Sequence, residues 1–245
     1  MKTKIFSTIY ENLKTLFGAL IIAILIRSLL YQPFYIPSSS MEPTLLVGDR
    51  IFVSKFTYGY SKHSFPFSPH FSNNRFFSKV PKRGDLVVFK TPSDNRTDYI
   101  KRLIGLPGDS IQFIDGELLI NDKKVNRVKI KNFLSIRCGN FNLDTNSFVE
   151  TLPNGVKHSV VYKKSGSLQN TKKFKVPNNK YFLLGDNRDC SKDSRYLDSV
   201  GYVDNINLVG KAKVIFFSND TKKSSLIKFW NLHNSFRLER LFKKL

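Results

Sequence analysis

The sequence predicts a mainly β protein, an antiparallel β-sheet domain carried behind one N-terminal transmembrane helix. An apolar run without charge occupies Leu16 to Ile26, and it is followed by short β-branched and aromatic segments, each introduced by a turn. No long amphipathic helix separates those segments. The 245 residues, 41% of them hydrophobic and twenty-two of them Phe, suffice for one sizeable core.

The elements follow in order. Residues 1–15 form a short basic N-terminus with Lys2, Lys4 and Lys14. Beyond Arg27 the apolar character resumes through Leu29, Leu30, Tyr31, Phe34 and Ile36, so 16–36 is expected as the anchor, reaching roughly 30 Å as a helix. Arg27 and Gln32 fall toward its far end, where arginine snorkels to headgroups. A cleaved leader is the competing reading, but Arg27-Ser28-Leu29-Leu30-Tyr31 is bulky and offers no small-x-small cleavage signal. An uncleaved anchor leaves the basic flank cytoplasmic and exports the remainder, because long domains cross regardless of charge. The domain behind the anchor is then expected on the extracytoplasmic side of a plasma or inner membrane.

Within the exported part, 37–223, Gly48-Asp49, Gly84-Asp85 and Gly108-Asp109 each precede a strand-like run: Ile51-Phe52-Val53, Leu86 to Phe89, and Ile111 to Ile114. Asp115-Gly116 reads as a tight hairpin into Leu118-Leu119-Ile120. Further strands are expected at Val160-Val161-Tyr162, Tyr181 to Leu184 and Lys213 to Phe217. The Lys-, Asn- and Ser-rich stretch 123–179 reads as a peripheral β excursion inserted into the main fold. Two segments mix aromatic or apolar residues with polar ones in a way that suits a bilayer interface or ordinary packing: Ser64 to Phe77, with five Phe, and the basic tail 224–245.

A formal net charge of +21 favours a polyanion, either nucleic acid or an anionic lipid leaflet. The apolar N-terminal segment selects membrane lipid, and no nucleic-acid partner is expected. With two cysteines, Cys138 and Cys190, a disulfide framework or cysteine-rich metal site is excluded; one bridge remains open, and two free thiols are the preferred reading. The histidines, at 63, 70, 158 and 233, lack metal-ligand spacing, so neither a metal nor another cofactor is expected.

Chemistry is suggested by Ser38-Ser39-Ser40, directly after the anchor. A serine triplet is ordinarily a solvated linker, and serine is a poor nucleophile without a base. Pro37 and Pro43 restrict the backbone on either side, and Met41, Leu45 and Leu46 supply apolar neighbours. Lys101 is the candidate base: strand alternation puts it on one face with Tyr99 and Leu103, and burial disfavours its ammonium form. Arg102 points the other way and stays protonated. Alone, such a lysine reads as a surface charge.

The boxes Ser38-Ser39-Ser40-Met41-Glu42-Pro43-Thr44-Leu45, Gly48 to Lys55, Arg83 to Phe89, Tyr99 to Asp109 and Gly185-Asp186-Asn187-Arg188-Asp189-Cys190-Ser191-Lys192-Asp193-Ser194-Arg195 resemble, in order, those of the type I signal peptidases. The resemblance runs from the anchor to about Tyr202. It implies a membrane-bound Ser/Lys endopeptidase that removes signal peptides from exported preproteins. Ser40 would be the nucleophile and Lys101 the general base, with Ser38 offering its hydroxyl to the oxyanion hole. Ser191 would hydrogen-bond and orient Lys101, Asp193 would pair with Arg195, and Asp186 would help hold the lysine's surroundings. Phe34, Ile36, Pro37, Leu45, Tyr99 and Ile100 match positions lining two shallow pockets that accept small residues such as Ala. Cys190 stands where the family commonly has Asn, which would put a thiol at the edge of the site.

Three other readings compete. Self-cleaving repressors share Ser/Lys chemistry, but no helix-turn-helix pattern is present here. Ser225-Leu226-Ile227-Lys228 and Ser93-Asp94-Asn95 match penicillin-recognising motifs in reversed order, with no K-T-G following. A membrane-tethered basic binding protein would need charge but not Ser40.

Overall fold

The computed structural model describes residues 2–69, 72–139, 141–163, 170–220 and 235–245. Helix α1 (Lys2–Leu29) contains a 21-residue span, Ile9–Leu29, with mean hydropathy 1.7. At 1.5 Å per residue this is about 31 Å, enough to cross a bilayer core. None of its side chains from Ile9 to Arg27 is buried, which suits a lipid environment.

The helix expected to continue through 16–36 ends at Leu29, and the span long and apolar enough to cross a membrane is Ile9–Leu29. The residues after it form strand β1 (Tyr31–Tyr35), whose outward and inward side chains alternate. Pro33 lacks the N–H a helix interior needs and is tolerated on this edge strand. The hydrophobicity of Phe34 and Ile36 is spent on the domain core, not on lipid.

After β1 the chain runs through β2 (Asp49–Ser54), β3 (Leu86–Lys90) and β4 (Asp98–Gly105). The small antiparallel set β5 (Ser110–Ile114), β6 (Glu117–Ile120) and β7 (Lys123–Lys124) follows. Then come the long strands β8 (Asn126–Cys138), β9 (Phe141–Thr151) and β10 (Lys157–Lys163). Strands β11 (Phe174–Lys175), β12 (Lys180–Leu184), β13 (Val203–Asp204), β14 (Leu208–Ser218) and β15 (Lys243–Lys244) complete the order. The main sheet runs β1-β2-β14-β3-β4-β12-β13, with β15 on β14; β10-β9-β8 form a separate sheet, and β11 joins β5-β6-β7.

The three Gly-Asp turns share one construction. Glycine takes a positive φ, 97° at Gly48, and the aspartate carboxylate accepts the backbone N–H three residues earlier: Leu46 at 2.8 Å, Lys82 at 3.1 Å and Leu106 at 2.6 Å. Each carboxylate also meets a cation, Arg240 for Asp49, Lys211 for Asp85 and Arg83 for Asp109. The Asp115-Gly116 hairpin forms as expected, with positive φ at both residues.

The stretch 123–179 does hold a β meander, but it is fastened to the body. Val161 N–H donates to Asp186 O and Arg188 N–H to Val161 O, both at 3.0 Å. Arg188 forms a fully buried pair with Glu150, at 2.9 Å through Nη1. Cys138 and Cys190 form a disulfide, so the expectation of two free thiols is corrected. The cysteines lie 52 residues apart in sequence, and only the return of β8 toward the 185–195 loop brings them together.

The end of the basic tail is also docked. Arg240 donates through Nε to Asp49 at 2.9 Å, and Leu245 packs on a core cluster that contains Ile51 and Val53. Residues 224–234 of the expected tail, including Trp230, lie outside the described residues, as do His70 and Phe71 of the Phe-rich segment. In that segment Phe67 and Phe77 project fully into the surroundings.

Replacing Arg188 by Met leaves Glu150 buried without its guanidinium. The unfolding free energy of the full chain in detergent is expected to fall by about 3–5 kcal/mol. Lys124→Ala, which removes a pair on the surface, is expected to change it by less than about 1 kcal/mol. Urea titration followed by circular dichroism distinguishes the two.

Candidate active site

Ser40 lies in a single 3-10 turn, Ser39–Met41, between β1 and β2. Met41 is wholly buried, as is Leu45, and both belong to the same core cluster as Ile36. Apolar packing therefore holds the turn from below. Leu45, expected to line a pocket, serves as core instead.

The turn is held from above by the 185–195 loop. Asn187 N–H donates to Ser40 O at 3.1 Å, and Asn187 Nδ2 donates to Ser39 O at 3.2 Å. Gly185 permits this approach, since a Cβ there would stand 2.6 Å from Ser40 O and 2.2 Å from Ser191 Oγ. A solvated turn does not describe this loop. Asp186, Asn187, Arg188, Ser191, Asp193, Ser194 and Arg195 are all buried.

Lys101 projects from β4 so that its Nζ lies 2.6 Å from Ser40 Oγ. Lys101 is only 3% exposed and Ser40 only 7%. Burial lowers the lysine pKa to about 8, opposed by the charges of Asp193 and Asp186, with Arg195 adding to the depression. The two carboxylates already have guanidinium partners. Asp186 accepts from Arg102 Nε at 2.8 Å and Nη2 at 2.6 Å, and from Thr44 Oγ1 at 2.5 Å. Asp193 accepts from Arg195 Nε at 2.8 Å and Nη2 at 2.9 Å, and from Gly185 N–H at 3.0 Å. Burial pushes both carboxyl pKa values up, but the arginines outweigh it and hold them below the usual range. Neither carboxylate forms an ion pair with Lys101, so the amine can lose its proton at modest cost.

The expected bond from Ser191 to Lys101 is not formed. Ser191 Oγ is sealed from solvent without a well-formed hydrogen bond, and its influence falls on Asp193, whose charge it favours. Its Cβ and hydroxyl fill the space above Gly185, so packing against the loop replaces the direct contact. Ser38 does stand beside the dyad, with Oγ 3.4 Å from Ser40 Oγ.

A groove of about 380 Å³ opens over Ser40 and Lys101. Phe34, Ile36, Pro37, Tyr99 and Ile100 line it as expected, and Ser38 is at its wall. Met41, Ile51, Val88 and Lys192 also line it, which the sequence did not signal. Cys190 contributes to the same wall as half of a disulfide, with Sγ 3.5 Å from Ser39 Oγ, so the expected thiol at this edge is corrected. Arg102, set aside as a base, proves to be the partner of Asp186. Arg102 is separated from Asp186 by 84 residues and Thr44 by 142, distances at which a single sequence carries no pairing signal.

The family model for signal peptidase, peptidase S26, matches residues 9–217. Signal peptidase I of Rickettsia typhi is 41% identical over 262 residues, covering 99% of this chain and 96% of the relative. Signal peptidase I of Rickettsia akari is 43% identical over 246 residues, covering 91% and 88%. A solved signal peptidase I from Enterococcus faecalis is 28% identical, covering 54% of this chain and 97% of its own, with a TM-score of 0.31. The match extends from the anchor through β14 and contains every box that builds the groove, so the chain belongs to the signal peptidase, peptidase S26, family.

Proposed function

We propose that this membrane-anchored signal peptidase cuts preproteins with Ser40 as nucleophile and Lys101 as general base. The observation that carries the assignment is the 2.6 Å contact between Ser40 Oγ and a buried lysine amine whose neighbouring carboxylates are held by arginines. With the amine neutral, Nζ accepts the hydroxyl proton as Oγ attacks the scissile carbonyl. The Ser38 hydroxyl and the Ser40 backbone N–H hold the oxyanion. The Lys101 ammonium returns its proton to the departing amine. Water then hydrolyses the acyl-enzyme, activated by the same lysine.

The substrate lies extended in the groove. β12 pairs with β4 only as far as Arg102, so residues 98–101 of β4 present an unpaired edge on that side. A signal peptide adds there as a further strand, and its cleavage point reaches Ser40. Phe34, Ile36, Pro37, Tyr99 and Ile100 leave shallow apolar space that admits alanine-sized side chains and excludes larger ones by clash. Asp186, Asp193, Arg195 and Ser191 act as positioning residues behind the lysine. The catalytic domain, 37–223, faces the extracytoplasmic side, with residues 1–15 in the cytoplasm. A basic tether without catalysis is disfavoured by the burial of both Ser40 and Lys101, which a lipid-binding charge does not need.

Ser40→Ala and Lys101→Met are each expected to lower kcat for a preprotein with an Ala-x-Ala site by at least about 10³-fold, with the circular dichroism spectrum unchanged. Full activity in Ser40→Ala rules the mechanism out.

Because the neutral amine is the active form, kcat/KM is expected to rise with pH through about 8 and to fall roughly tenfold per unit below it. A pH-rate profile with no inflection between 6 and 9 argues against Lys101 as base.

Ser38→Ala is expected to reduce kcat by about 10²–10³-fold, with KM little changed, because its hydroxyl acts on the transition state.

A further inference from the structure

Two cavities meet at the point where α1 leaves the membrane. The first is a notch of about 260 Å³ lined by Arg27, Lys55, Lys90 and Arg96, with Asp98 and Phe67 at its sides. Four cations face one carboxylate, a surplus of three positive charges. Asp98 is already answered by Lys90 at 2.9 Å. Lys55 Nζ donates to Ser64 O at 2.6 Å, and burial first, then Arg27, lowers its pKa to about 8. Among the described residues the Arg27 and Arg96 guanidinium groups make no hydrogen bond or ion pair. Lys55 is buried at the base of the notch and Arg27 and Arg96 are exposed at its mouth, so like charges are collected in one concave place.

The second is a mainly apolar groove of about 680 Å³ between α1 and the outer face of β1, β2 and β14, lined by Ala23, Ile26, Tyr31, Pro33, Phe52 and Val214, with Lys213 also on its wall. Arg27 borders both cavities. The junction is fixed: Tyr60 Oη donates to Leu29 O at 2.9 Å, and Lys55 N–H donates to Leu30 O at 3.0 Å. Arg27 lies in the last turn of the 21-residue span, at the depth of the headgroups.

We propose that an anionic phospholipid occupies this junction, its phosphate in the Arg27–Lys55–Arg96 notch and one acyl chain in the groove beneath Ala23 and Ile26. The amphiphilic pairing of the cavities selects a lipid over a free phosphate, and the charge surplus selects an anionic lipid over a zwitterionic one. Phe34 and Asp98 are walls of both the notch and the catalytic groove, so the bound headgroup fixes the height of the groove above the membrane. The inference rests on the membrane-anchored reading and is independent of which residues perform catalysis.

The test is native mass spectrometry of the full chain in detergent, loaded with phosphatidylglycerol, phosphatidylcholine or glycerol 1-phosphate. Wild type is expected to retain phosphatidylglycerol at least tenfold more than phosphatidylcholine. Arg27→Gln with Arg96→Gln, and separately Ala23→Trp, which fills the groove, are each expected to lose that retention tenfold or more. Cleavage of a short soluble peptide in detergent is expected to stay unchanged in both variants and in the exposed control Lys123→Gln. Equal retention of phosphatidylglycerol by wild type and both variants overturns the site. So does displacement of the lipid by equimolar glycerol 1-phosphate, which would mean the acyl groove contributes nothing. Extraction of the chain from membranes by carbonate would overturn the anchored reading itself, whatever the peptide assay shows.

Discussion

The burial of Lys101 beside Ser40 is the constraint on which the rest of this structure depends. A lysine amine taken out of water gives up its charge readily only if no carboxylate stabilises the ammonium. Asp186 and Asp193 are close enough to do so, and each is occupied by a bidentate arginine. The surroundings of Lys101 are therefore a set of neutralised pairs. They supply a rigid polar frame without feeding net charge back to the amine.

That frame must be held to within fractions of an ångström, and the 185–195 loop does this by being tied at several points. It bonds to the Ser39–Ser40 backbone on one side and to Val161 of the inserted meander on the other. Arg188 and the Cys138–Cys190 disulfide carry the connection into that meander. The insertion is thus a buttress for the site as well as an excursion. It explains how a segment so rich in surface residues bears on the placement of Ser40 and Lys101.

The same economy governs the membrane end. The helix stops at Leu29 because the following residues gain more by pairing with β2 than by prolonging the helix, and β1 then carries the chain to Ser40, eleven residues beyond the helix end. Aromatic side chains at Tyr31, Phe52, Phe56 and Phe216 cluster on the sheet face beside the helix exit. Among them Tyr31, with an apolar ring and a polar hydroxyl, suits the headgroup region.

The sequence by itself determined the fold class, the apolar N-terminal helix and the turns, and it singled out Ser40 and Lys101, which the fold brings into contact. Strand alternation, Gly-Asp and Asp-Gly turns and an unbroken apolar run are local signals that survive without knowledge of the partner strands. The chemistry of the boxes could be read because Ser38 to Leu45 and Gly185 to Arg195 are contiguous. Only the tertiary structure decided where the anchor ends, since 31–36 is apolar enough for either lipid or sheet and pairing with β2 settled it. It likewise decided that Leu45 is core, that the cysteines pair, that Ser191 does not touch Lys101, and that Arg102 and Thr44 hold Asp186. Each of these turns on contacts between residues far apart in the chain. Their free energy comes from burial and charge neutralisation in the assembled fold, which no local pattern encodes.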